Sequence, residues 1–396
     1  YLMSMSLTAM MSGMLNSLHH FFAAAVAPIF LNLVMISALF YAIYFGADPL
    51  TTAWYLSWSV LVAGVLQLAV VYIGVRHAGI NIGLRFPRFT PNVKRLLLLA
   101  IPAAITGGVT QINLVIGQAI ASGKEGAIAA LQYADRIYQL PLGVVGVAVG
   151  IVLLPELARS LKSGHIKEAA NIQNRSIEFV LFLTLPAAVA LWLLSDDIIR
   201  VLYERGAFNS ENTKLVGSIL AIFGLGLPAF VLIKALQPGF YAREDTKSPM
   251  RYTAVAVAVN SALSILLFPV LAERGIAVAE AVAGWLNAVQ LFVTLYRRGH
   301  LVWEWSLARR TAMLLVSCAV MGGVIVYLSD RWEPLLGSGS TLLTKTGVLG
   351  LLILIAMAVY FIVAFLIGGV DLGMVRRNLK RKRAATASDA KAVNGE

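Results

Sequence analysis

No feature of this chain constrains its fold more than the apolar runs that recur along it. Eleven runs can be traced, at roughly 1–19, 21–45, 51–76, 94–121, 128–158, 175–195, 213–241, 249–271, 276–297, 307–329 and 342–368. Runs of about 18 apolar residues or more mark membrane-spanning helices. In hydrocarbon a backbone must satisfy its own polar groups, which a helix does within one segment. The sequence therefore predicts an all-α, polytopic membrane protein with about eleven transmembrane helices. Composition agrees: 13% of residues are charged, against about 25% in soluble domains.

The net charge of +12 would suggest a nucleic-acid partner in a soluble protein. Here the basic residues fall mostly in short loops, so the positive-inside rule explains them and no nucleic-acid partner is expected. With the C-terminus placed in the cytoplasm, the inward loops and tail carry 23 of the 32 basic residues and the outward loops carry 7. Two remain, Arg136 and Lys234, and both lie within apolar runs. The loops leave no space for a second soluble domain. Residues 77–93, basic and containing Pro87 and Pro91, are the expected boundary between two helical bundles. Residues 371–396 read as a basic cytoplasmic tail against the anionic leaflet. The single cysteine, Cys318, lies inside a run and is expected to pack there.

Arg136 heads the run 133–155, and its register is unusual. Gln132, Arg136, Gln139, Gly143, Gly146 and Gly150 recur at steps of three and four, which is one face of a helix. Pro141 removes a backbone donor within it, so a bend is expected. A cation at bilayer depth costs about 2.5–3.5 kcal/mol on insertion scales and usually meets water, a partner or a substrate. Two readings stay open for Arg136 and Lys234: cavity cations facing an anionic ligand, or snorkelling side chains near span ends. The forked guanidinium suits phosphate. Glu178 and Glu280 are the acids well inside apolar runs, each near a run's end, and no carboxylate is placed by sequence to neutralise either cation. Internal prolines at 28, 102, 141, 186, 228 and 269 fit the broken helices of transporters. The five histidines show no metal-ligand spacing and there is no phosphate-cradling glycine loop. No catalytic residue, metal or cofactor is expected.

The stretch Tyr133–Leu157, with the segments Ala235–Pro249, Arg205–Phe208 and Leu15–Asn32, resembles the MurJ (MviN) family of lipid II flippases. That family lies in the multidrug/oligosaccharidyl-lipid/polysaccharide exporter superfamily. The resemblance implies two lobes of a fourteen-span fold around a cationic cavity, working by alternating access. It makes residues 1–76 the remainder of the first lobe, 94–300 the second lobe, and 301–370 two further spans forming a lipid-tail groove. Arg136 then matches the family's cavity arginine, and Arg243, Glu244 and Asp245 fall in a cytoplasmic loop motif. Eleven spans rather than fourteen imply that the first three are absent, so the chain reads as truncated at its N-terminus.

The expected function is movement of lipid-linked peptidoglycan precursor from the cytoplasmic to the periplasmic leaflet of a bacterial inner membrane, by a monomer in contact with membrane lipids. Arg136, Lys234, Gln139 and Gln132 are the expected substrate contacts. Pro141, Gly143, Gly146, Gly150, Arg243 and Asp245 are the expected conformational positions. The alternatives are an exporter of another lipid-linked polysaccharide, a drug antiporter, which would place acids in its cavity, and a membrane-embedded transferase.

Overall fold

The computed structural model describes residues 1–18, 20–80, 91, 93–94, 108, 111–301, 305–337 and 340–368, apart from the side chains of 147–152, 154–155 and 162. Its helices, in chain order, are α1 (Leu2–Ser17), α2 (Phe22–Tyr44), α3 (Pro49–His77) and α4 (Gln111–Ala121). They continue with α5 (Ala127–Lys162), α6 (Ile166–Leu193), α7 (Ser195–Tyr203), α8 (Ser210–Tyr241), α9 (Lys247–Leu271), α10 (Glu273–Arg297), α11 (Trp305–Leu336) and α12 (Leu342–Leu366). No strand occurs among the described residues. Eight helices, α2, α3, α6 and α8 to α12, are long and apolar enough to cross a membrane. The other three expected runs fall on α1, α4 and α5.

Helix starts follow local chemistry. Asp48 caps α3 by accepting from the Leu50 amide at 3.2 Å, with Pro49 in the first turn. Asn209 caps α8 through the Asn212 amide at 3.0 Å. The segment 195–203, expected as loop, is the short helix α7. Its first turn carries Asp196 and Asp197 and its last turn Arg200, the arrangement a helix dipole favours. α5 runs uninterrupted through Pro141.

The chain divides into two compact units, Tyr1–Arg95 and Leu96–Glu396. In the first, α3 packs against α1 and α2 over a small core of Met11, Leu15, Ala27, Val71 and Val75. In the second, α8 is the central post, packed by α5, α6, α7 and α10. Two thirds of its most apolar stretch is buried, the highest share of the eight spans. Polar side chains lock neighbours to it: Gln173 of α6 donates to the Ala235 carbonyl at 2.7 Å, and Trp285 of α10 to the Leu225 carbonyl at 3.0 Å. In lipid, helix association rests on such bonds and on close packing rather than on water exclusion. α11 and α12 pack on each other and on α6, and the Tyr360 hydroxyl donates to the Phe182 carbonyl at 2.7 Å. The basic segment 77–93 lies largely outside the described residues, and the tail 371–396 entirely so.

Candidate functional site

A cavity of about 480 Å³ opens within the second unit, between α4, α5, α8, α9 and α10. α5 contributes most of its wall, including Gln132, Asp135, Tyr138, Gln139 and Gly143. Successive helix residues lie about 100° apart, so this wall is centred near Asp135. Arg136, one position on, is exposed and does not line the cavity. The sequence-derived face is thus split: Gln132, Gln139 and Gly143 stand in the wall, and Arg136 stands at its edge, turned onto the unit's outer surface.

Lys234 of α8 lines the same cavity. Its stem lies across Gly146: a Cβ built there would sit 2.7 Å from Lys234 Cδ and 2.9 Å from Nζ. Glycine at 146 is therefore the condition for this path of the lysine. Gly143 has open space around it. The surroundings of Gly150 lie outside the described side chains. The Tyr138 ring stacks at 5.5 Å from Phe223 and 6.1 Å from Phe230, and no hydrogen-bond partner meets its buried hydroxyl among the described residues.

Two carboxylates share the cavity with the lysine. Asp135 accepts a hydrogen bond from the Gln139 amide. Glu280 of α10 lines the cavity and has no hydrogen bond or ion pair among the described residues, and neither has Lys234. Sequence reasoning set Glu280 aside as close to a span's end. α10 begins at Glu273, which places Glu280 two turns inside the helix, about 10 Å from its start. A second cavity of about 140 Å³ adjoins, lined among others by Thr253, Asn260, Glu280 and Asn287. Asn260 donates to Asn113 at 2.8 Å, tying α9 to α4. Near the start of α10, Lys124 holds the buried Glu273 carboxylate at 2.9 Å.

The loop after α8 is built differently. Arg243 donates to the Gly239 carbonyl at 2.7 Å. Asp245 accepts from the Ser248 amide at 3.0 Å, the Ser248 hydroxyl at 2.6 Å and Arg298 at 2.6 Å. Those Ser248 bonds, and then the Arg298 guanidinium, hold the Asp245 carboxyl well below the usual range. Arg298 also sits 5.8 Å from the centre of the Phe240 ring. The two sequence-predicted loop positions thus clasp the end of α8, the start of α9 and the end of α10. No group of three or more His, Cys, Asp or Glu able to hold a metal occurs among the described residues.

The profile of the lipid II flippase MurJ family matches residues 1–347. A protein of Rhizobium tropici described as a probable lipid II flippase MurJ is 97% identical over 396 residues, covering all of this chain and 74% of that protein. The chain belongs to the lipid II flippase MurJ family. A second MurJ relative, from Rhizobium meliloti (strain 1021), is 58% identical over 98% of this chain and 72% of its own length. A solved MurJ structure in an inward closed conformation superposes with a TM-score of 0.73 at 25% identity, over 91% of this chain and 70% of that one. Membership makes the chain a multi-span membrane transporter rather than an enzyme. Within a MurJ frame, the residues that sequence reasoning passed over are Asp135 and Glu280, the carboxylates that share a cavity with Lys234.

Proposed function

We propose that the chain moves lipid II from the cytoplasmic to the periplasmic leaflet of a bacterial inner membrane, with its C-terminus in the cytoplasm. The family match over residues 1–347, with the 97% identical MurJ relative, carries this reading. The 23-to-7 division of basic residues between loops supports the orientation.

In this reading Arg136 is the principal contact for the diphosphate. Its exposure on the outer surface of the second unit leaves the fork free for two phosphate oxygens. Lys234 serves as a second cation, reached from the cavity, with Gln132 and Gln139 as polar guides along α5. Pro141, Gly143, Gly146 and Gly150, and the clasp of Arg243 and Asp245, are the positions at which the helices rearrange. The lipid tail stays in the bilayer while the head group crosses, and α11 and α12 offer it apolar surface. Outward movement of an anion from a negative interior is favoured by about 2.3 kcal/mol per charge per 100 mV.

The test is binding and exposure. Purified protein should bind lipid II in preference to other anionic lipids, and cells relying on the protein should expose lipid II on the outer leaflet. Equal binding of lipid II and phosphatidylglycerol would overturn the reading.

A further inference from the structure

The cavity of the second unit holds one ammonium and two carboxylates. One ammonium cannot balance two carboxylates, so a carboxylate is left in a membrane-embedded site where an uncompensated charge is costly. Asp135 has its Gln139 donor, whereas Glu280 has no donor among the described residues. Glu280 also stands where the two cavities meet, since it lines both the 480 Å³ and the 140 Å³ chamber. The smaller chamber is lined by Asn260 and Asn287, whose buried Oδ1 atoms no described protein donor reaches. Buried acceptors of this kind take water as their donor. The charged and titratable groups facing Glu280 are few. α5 brings Asp135 and Tyr138, whereas α4 and α9 bring only the amides Asn113, Gln118 and Asn260 and the hydroxyl of Thr253; Lys234 of α8 lines the larger chamber with its amine resting against Gly146.

We propose that Glu280 is a proton-binding site, loaded from water in the two chambers that meet at it, with the nearby Asp135 carboxylate as the like charge that loading relieves. On loading, a hydronium gives its proton to a Glu280 Oε, forming one O–H bond, neutralising the carboxylate and leaving water. On release the proton returns to water.

Infrared spectra of the purified full chain in lipid vesicles, titrated from acid to alkali without lipid II, test it. A protonated-carboxyl carbonyl band should vanish as pH rises, be missing in E280Q and persist in D135N. An E280Q spectrum identical to wild type, or loss of the band in D135N alone, overturns the assignment. So does loss of the wild-type band at constant pH on adding sodium chloride but not choline chloride, which would make this a metal-cation site. Should E280Q fail to fold, E280D should keep the band with a shifted midpoint, and an unshifted midpoint counts against the proposal. Failure of lipid II translocation with a titrating Glu280 would instead sink the transport reading and leave the proton site standing.

Discussion

The charged residues that pin helices to one another and three charged residues inside α5, α8 and α10 are handled differently. At the ends, charges are matched: Lys124 with Glu273, Arg200 with Asp197, and Arg298 with Asp245; Glu178, well inside α6, is matched too, by Arg310 at 2.6 Å. Inside α5, α8 and α10, Asp135 has its Gln139 donor, whereas Arg136, Lys234 and Glu280 have no ion pair or hydrogen bond among the described residues. A membrane interior penalises a lone charge more than an interface does, so stability alone would favour the reverse. The contrast separates charges that hold helices to one another from charges that no described protein group neutralises. It also separates expected phenotypes: losing a matched charge should cost stability, and losing a lone one should cost transport.

The largest effect is expected at Arg136. Arg136→Ala should abolish outer-leaflet exposure of lipid II in cells that depend on the protein, with expression and thermal unfolding unchanged. Wild-type exposure would break the comparison at its main point. Lys234→Ala should reduce exposure partially in the same assay, again at unchanged stability. A defect as large as that of Arg136→Ala would reverse their ranking.

Lys124→Met should act on the other side of the contrast. It strands the Glu273 carboxylate, which is 1% exposed, and should lower stability in detergent by about 2 kcal/mol, less than for a fully buried pair because Lys124 is itself half exposed. Lys124→Met with Glu273→Gln should recover most of that loss; no recovery would mean the pair is not what holds α10 there. Asp245→Ala should cost least, about 1 kcal/mol, from a lost helix-start contact and a lost ion pair. Its sign with pH is fixed: a carboxyl held low in the folded state contributes above the ordinary aspartate value and loses that contribution as it takes up a proton. The gap in thermal unfolding between wild type and Asp245→Ala should therefore narrow as pH falls below about 4.

The spans were legible because length and apolarity suffice to recognise a helix in lipid. α7 was not, because nine residues with two aspartates and an arginine carry no hydropathy signal; its end charges were the clue available. Within the site, Gln132, Gln139 and Gly143 were legible as one face. The rotation of that face was not. A stripe at three- and four-residue steps fixes neighbours on a helix, and only packing against α8 and α10 decides which edge meets the cavity. That rotation puts Asp135 in the wall and Arg136 outside it. Glu280 was lost to a boundary placed three residues late, enough to move a deep carboxylate to an apparent end. Lys234 was recognised from charge counting, but its rest against Gly146 needs two helices at once and no single segment encodes it.

That rest has an evolutionary consequence. Position 146 tolerates a hydrogen and nothing larger while the amine at 234 follows its present path. A lineage that gains a methyl group at the first position need only redirect the end of the lysine at the second. Because only the flexible end of the lysine stands in the way, alanine at 146 beside lysine at 234 stays compatible, and that exchange swings the amine off the α5 backbone without removing it.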